Sequence, residues 1–230
     1  VNKQLNVALT GSLSFDTSWD PIILMLLGHT LHLYADEVKQ DVFELLNLIE
    51  KDKIDTMAVA PSLATQLVQA GLCEKTQHKP LLMTICGEPV SPFLWQALQH
   101  SSISAHNIYG PTEFTVYATS KEITPQSSEV LIGKPFANTY AYVLDQNLNS
   151  VPIGMNGELY LAGDNMSLGY LNRPEITATK FVANPYVAGD VMYTTGDIVR
   201  WSTEGELVFV GRCDNQVKVR GYRIELGDVE

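Results

Sequence analysis

DVFELLNLIEKDKIDTMAVAPSLATQLVQAGL, Asp41 to Leu72, changes its hydrophobic period twice within one short stretch. In VFELLNLIEK the apolar residues recur at helical spacing, which predicts an amphipathic helix. IDTMAVA follows as an apolar, strand-like run. Pro61 then stands where a second helix can begin, because a first turn leaves its N–H groups unpaired anyway. That helix is expected to close on Gly71, a residue suited to the position just past a helix end. Strands alternating with helices imply a layered, mostly parallel sheet.

The same alternation extends to both sides. Upstream, LNVALTGSL is strand-like, and DPIILMLLGHTLHLY is expected to form a buried helix and then a strand. Downstream, LLMTICG and VSPFLWQALQH repeat the theme. After about Leu131 the texture changes. AYVLDQNLNSVPIGMNGELYLAG holds two strand-like runs separated by a turn-rich stretch, and ELVFVGRCDNQVKVRGYRI reads as strands joined by a tight turn. The expected fold class is therefore α/β: a layered, mostly parallel sheet with helices, followed by a small antiparallel, β-barrel-like subdomain. The expected boundaries are an α/β subdomain over 1–130, a β-rich subdomain over 131–213, and a short terminal segment over 214–230.

Composition narrows the function classes. The 230 residues are 45% hydrophobic and 18% charged, enough for a substantial core. A formal charge of −11 without a basic cluster disfavours nucleic-acid binding through phosphate neutralisation. Pro21 to Leu33, the most apolar stretch, is too short to span a membrane and is broken by Gly28 and His29. Cys73, Cys86 and Cys213 form neither a disulfide framework nor a metal pattern, and free thiols fit a cytoplasmic setting. The chain opens on a strand-like run and stops at Glu230 inside an amphipathic start, so the expectation is a piece of a longer protein.

Four segments offer chemistry. In NIYGPTEFT, Asn107 to Thr115, Gly110 and Pro111 make a turn where backbone can approach a ligand. Beside them stand an aromatic face (Tyr109), a hydroxyl (Thr112) and a hard carboxylate suited to Mg²⁺ (Glu113). As an alternative, this is a loop with a core tyrosine and a solvated glutamate. In YTTGDIVRW, Asp197 follows Gly196 between strand-like segments and could accept hydrogen bonds from a ribose diol; the alternative is an ordinary Gly-Asp turn. GRCDNQVKVRGYRIELGDVE sets Arg212, Asp214, Gln216 and Lys218 at a particular spacing. In SFDTSWD, Asp16 follows an aromatic and is expected to be partly buried, needing a partner such as a ligand ammonium, whereas Asp20 suits an N-cap of the helix near Pro21.

Taken in order, and joined by GELYLAGDNMSLGYLNRPEITATKFVANPY (Gly157 to Tyr186), these segments resemble the adenylate-forming, AMP-binding superfamily, and within it the amino-acid adenylation domains of nonribosomal peptide synthetases. The resemblance covers nearly the whole chain. It implies ATP-dependent activation of an amino acid as aminoacyl-AMP with release of pyrophosphate, then transfer to a phosphopantetheine thiol on a carrier-protein domain. ATP and Mg²⁺ are the implied cofactors, and carrier and condensation domains the implied partners, with no nucleic acid and no membrane.

The resemblance also assigns roles. Thr112 and Glu113 become the catalytic pair, with Thr112 at the phosphate and Glu113 on Mg²⁺. Tyr109 would stack on adenine beside Gly110, and Asp197 would hold the ribose hydroxyls with Arg212 close by. Asp214 and Lys218 would belong to the hinge between a large and a small lobe. Asp16 would pair with the substrate α-ammonium, and Thr17, Asp20, Ala58, Thr84, Cys86, Ile108, Val116 and Tyr117 would line the side-chain pocket. An Asp20 turned inward favours a polar or basic side chain. The family's Ser/Thr/Gly-rich phosphate loop ending in Lys, and its downstream catalytic lysine, have no match in the 230 residues, which are therefore expected to be nearly inactive alone. Two other readings stay open: an acyl- or aryl-CoA ligase of the same superfamily, and a non-catalytic nucleotide-binding module.

Overall fold

A computed structural model describes residues 3–127, 129–214, 216–219 and 222–225, with the backbone alone described over 217–219 and 222–225. Two compact units are present. The first comprises Val1–Asn107, Glu122–Val130 and Lys218–Tyr222; the second comprises Ile108–Lys121, Leu131–Val217 and Arg223–Glu230. Ile108–Lys121 clusters with the second unit.

In the first unit the chain runs β1 (Asn6–Leu9), α1 (Trp19–Leu26), β2 (Thr30–Leu33), α2 (Asp36–Gln40), α3 (Val42–Lys51), β3 (Thr56–Val59), α4 (Pro61–Ala70), β4 (Leu82–Cys86), α5 (Pro92–Gln99) and into β5 (Ser104–Tyr109). The strands stand in the order β2-β1-β3-β4-β5, and the β1–β2, β1–β3 and β3–β4 pairs are parallel. This is the layered α/β arrangement implied by the Asp41–Leu72 stretch.

Local chemistry explains the elements. Asp41 caps α3 by accepting from the N–H groups of Phe43 (3.0 Å) and Glu44 (3.1 Å), a bond worth about 1 kcal/mol. The helix buries Leu45, Leu46 and Ile49, each contributing roughly 1.5–3 kcal/mol. Pro61 opens α4, and Gly71 ends it in the left-handed region at φ 114°. In α5, Ser91 caps the N-terminus through the Leu94 N–H.

Two local expectations fail. α1 is not a buried helix: Trp19, Ile23, Leu26 and Leu27 are exposed, and Pro21 is its one buried residue. Its sequence is apolar nearly all round, and one sheet can cover only one side of a helix. Nor is Asp20 an N-cap. α1 starts at Trp19, so Asp20 lies inside the first turn, and Ser18 at the cap position makes no side-chain capping bond.

The second unit is antiparallel. β6 (Thr119–Glu122) pairs with β7 (Lys134–Pro135). A five-stranded sheet takes β8 (Thr139–Leu144), β9 (Gly157–Gly163), β10 (Phe181–Ala183), β11 (Val191–Trp201) and β12 (Leu207–Arg212), with α6 (Pro174–Lys180) before β10. Their order is β10-β11-β9-β8, and β12 also pairs with β11. Phe114, Ala118, Ile132, Leu159, Leu161, Val199 and Leu207 pack into its core. β13 (Gln216–Val219) and β14 (Tyr222–Glu225) form a two-stranded ribbon. No helix among the described residues is long and apolar enough to cross a membrane.

Candidate functional site

The second unit gathers the residues expected to hold a nucleotide. Gly196 and Asp197 do not form a turn between strands. They lie within β11, where its register with β9 shifts between Thr194 and Ile198. A bulge of this kind re-aims side chains along a strand. Gly196 takes φ 73°, and a Cβ there would come within 2.8 Å of an Asp214 carboxylate oxygen and 2.9 Å of the Arg212 guanidinium. Glycine is thus favoured by the backbone, and any side chain there would push the Asp214 and Arg212 side chains aside.

The bulge presents Asp197, which is 6% exposed, to Tyr109 and Arg212. The Tyr109 hydroxyl donates to Oδ2 at 2.5 Å, and Arg212 Nη1 donates to Oδ1 at 2.6 Å. Arg212 also donates to both carboxylate oxygens of Asp214, at 2.7 and 2.6 Å. One guanidinium therefore clamps two carboxylates in the fork geometry that arginine favours. Burial of the Tyr109 hydroxyl, reinforced by the Asp197 charge, holds its pKa well above the ordinary value. Burial alone would weaken the Arg212 cation, but the Asp214 hydrogen bond and the Asp197 charge more than offset it and raise its pKa. The Arg212 hydrogen bond in turn pulls the Asp214 carboxyl below the usual range.

Tyr109 ends β5, and Gly110 follows where no side chain fits: a Cβ would lie 2.1 Å from the Val116 carbonyl oxygen. Thr112–Phe114 make a single 3-10 turn, opened by the exposed Thr112. Glu113 is 6% exposed, so it is not a solvated surface carboxylate. Its Oε1 accepts from the Tyr170 hydroxyl at 2.5 Å. Beyond the turn, Thr115 (φ 53°) and Val116 (φ 70°) both occupy the left-handed region, a costly state for two β-branched residues in succession. Such strain concentrates where a loop is shaped for binding. Ile108 is buried on β5, while Val116 and Tyr117 are half-buried in the loop that follows.

The residues expected on the substrate side are divided between the units. In the first unit, Asp16 opens a 3-10 turn (Asp16–Ser18), half-buried as expected, with Thr17 beside it and Asp20 one turn on. Ala58 on β3 stands in register with Thr84 on β4, and Cys86 lies two residues along. These three are half-buried, whereas Met57, Val59, Met83 and Ile85 on the alternate face are buried. The period of two therefore sets Ala58, Thr84 and Cys86 on one face of the sheet. Asp214 lies just before β13, and the side chain of Lys218 falls outside the described residues.

Two residues escaped sequence reasoning. Tyr170 lies 57 positions from Glu113, and only its place in the Gly157–Tyr186 segment marks it. Glu158 on β9 accepts from the Thr194 hydroxyl and, at 3.1 Å, from the Gly196 N–H, so it braces the bulge from the neighbouring strand. Among the described residues no group of three or more His, Cys, Asp or Glu could cage a metal. Mg²⁺ usually needs only one or two carboxylates and completes its shell with phosphates and water, so the Glu113 carboxylate fits that donor chemistry.

Residues 1–171 match the family model described as AMP-binding enzyme. The chain is 48% identical over 98% of its length to Vanchrobactin synthetase VabF of Vibrio anguillarum, of which it spans 8%. It is 39% identical over its full length to Bacitracin synthase 1 of Bacillus licheniformis, of which it spans 4%. Among solved structures, it superposes at TM-score 0.89 and 28% identity on the Vibrio cholerae adenylation domain AlmE in complex with glycyl-adenosine-5′-phosphate, covering 100% of this chain and 44% of that one. A second match, at TM-score 0.87 and 29% identity, is holo-PA1221, a protein with adenylation and PCP domains, covering 99% of this chain and 40% of that one.

Proposed function

The chain belongs to the AMP-binding enzyme family, and from that premise we propose that it activates an amino acid with ATP inside a nonribosomal peptide synthetase. In the proposed reaction a substrate carboxylate oxygen attacks the α-phosphorus, the bond to the bridging oxygen of the β-phosphate breaks, and pyrophosphate leaves. The aminoacyl-AMP then passes its acyl group to a phosphopantetheine thiol on a carrier domain, with a condensation domain as a neighbour and the cytoplasm as the setting. Chemistry of this kind rests on positioning and charge stabilisation, so it requires no side-chain nucleophile.

The observation that carries the reading is the Tyr109–Asp197–Arg212–Asp214 network, assembled within one unit from three separate stretches of sequence. Asp197, already oriented by Tyr109 and Arg212, would accept the ribose hydroxyls. Tyr109 would carry adenine on its ring while its hydroxyl holds Asp197. Gly110 lets the loop return close to its own backbone, and the exposed Thr112 hydroxyl would meet phosphate. Glu113 would hold Mg²⁺, whose charge would offset that of the phosphates. Asp214 and Lys218 would lie at the hinge opening the terminal segment.

In the first unit, Asp16 would pair with the substrate ammonium. A charge left unpaired in a desolvated place costs several kcal/mol, about enough to reject a deaminated substrate. Thr17, Asp20, Ala58, Thr84 and Cys86 would set side-chain selectivity there, and Ile108, Val116 and Tyr117 keep that role in the second unit. The relatives named as peptide synthetases and the adenylation-domain structures support the reading. The test is amino-acid-dependent ATP–pyrophosphate exchange by the intact protein across the common amino acids. Exchange with one or a few is expected. Thioester formation with coenzyme A and exchange only with acids lacking an amine would move the protein to the acyl or aryl ligases.

A further inference from the structure

We infer that Tyr170 is a positioning residue for Glu113: its hydroxyl fixes the carboxylate in the orientation that receives the divalent cation of the nucleotide. The inference rests on the proposed reading of Glu113 as the metal carboxylate. The Tyr170 hydroxyl donates to Glu113 Oε1 at 2.5 Å, against a carboxylate that is 6% exposed. A hydrogen bond to a charged acceptor in so buried a place is directional and strong.

The tyrosine is itself held on several sides. Its ring packs edge-on against Phe181, with centroids 5.8 Å apart. Its backbone N–H donates to the Thr177 hydroxyl at 2.9 Å. Gly169 before it takes φ 126°, and a Cβ there would lie 2.4 Å from Thr177 Cγ2. The same loop grips the turn that carries Glu113. The Ser167 N–H donates to the Glu113 carbonyl at 2.9 Å, and the Thr115 hydroxyl donates to the Asn165 carbonyl at 2.6 Å. Backbone and side chain of Glu113 are thus fixed by one segment 50 residues or more away. A ligand set before the metal arrives has less conformational freedom to lose on binding.

The test uses Mn²⁺ as a paramagnetic stand-in for Mg²⁺, titrated into the intact protein with ATP and followed by electron paramagnetic resonance. Glu113→Gln sets the reference, and Tyr170→Phe keeps the ring packing while removing the hydroxyl. The expected result is that Tyr170→Phe raises the half-saturating Mn²⁺ about ten-fold, the scale of one hydrogen bond to a charged group. Its affinity for metal-free ATP should stay unchanged, and the double variant should bind Mn²⁺ no worse than Glu113→Gln alone. Thr177→Val, which loosens Tyr170 without touching its ring, should move the value the same way by a smaller factor. If Glu113→Gln weakens Mn²⁺ binding and Tyr170→Phe does not, the positioning role is overturned while the reading of Glu113 stands. If Tyr170→Phe weakens metal-free ATP equally, its role is general packing and the inference also fails. If Glu113→Gln leaves Mn²⁺ binding unchanged, the reading of Glu113 falls and the inference with it.

Discussion

The carboxylates proposed for the nucleotide and for the substrate ammonium, one set in each unit, are held differently. In the second, Glu113 and Asp197 are both buried and both held by hydrogen bonds from residues at least 15 positions away. In the first, Asp16 sits half-buried at the start of a short 3-10 turn on the surface of its unit. A nucleotide is the same in every turnover, so its site can be fixed in advance by protein contacts. On the proposed reading, a variable small substrate is met instead by strand positions, Ala58, Thr84 and Cys86, which can change side chain without disturbing the sheet.

The sharpest way to break this contrast is Gly110→Ala. Its Cβ would meet the Val116 carbonyl at 2.1 Å, so backbone must move. A loss of about 3 kcal/mol or more is expected, read as a drop in the denaturant midpoint together with lost ATP binding. An unchanged midpoint would show that the loop is not built around that close approach. Next comes Arg212→Ala, which leaves Asp197 buried without its cation and should cost about 2–3 kcal/mol in thermal stability and weaken ATP binding.

A smaller effect is expected at Glu158. Replacing it with Ala frees the Gly196 N–H and the Thr194 hydroxyl and loosens the bulge, at about 1–2 kcal/mol. If the bulge aims Asp197, the variant should lose much of its preference for ATP over 2′-deoxy-ATP, whereas amino-acid KM should change little. On the first unit, Asp41→Ala should cost about 1 kcal/mol through the lost cap of α3 and leave nucleotide binding intact.

The subtlest effect is in pH. Asp214 has a folded-state pKa below its ordinary 3.8, first because Arg212 donates to it. A carboxylate of this kind contributes its full stability above 3.8 and loses it as pH falls through the folded-state value. In Arg212→Ala the Asp214 titration, followed by carboxyl NMR, should move up toward 3.8. A titration that stays put would assign the depression to some other group.

Sequence revealed most where the physics is local. The helix over VFELLNLIEK, the Pro61 start and the Gly71 end follow from spacing and backbone preference within a few residues. The Gly196–Asp197 bulge could not be told from an ordinary turn, because a bulged strand shows the same interrupted pattern as two strands with a glycine between them. The exposure of α1 was invisible because its apolar residues surround the helix and specify no single face. The proposed site was legible only as separate residues, Tyr109, Glu113, Asp197 and Arg212, of which the structure joins Tyr109, Asp197 and Arg212 in one network. Its bracing by Tyr170 and Glu158 was not, since hydrogen bonds spanning 57 and 38 positions leave no local trace.

The most direct test of amino-acid activation compares ATP–pyrophosphate exchange for the preferred amino acid and its deaminated analogue, in the intact protein and its Asp16→Ala variant. Exchange by the parent with the amino acid alone, lost or levelled between the two substrates in the variant, is the expected result. Equal exchange with both substrates in the parent, unaltered by Asp16→Ala, would contradict the account.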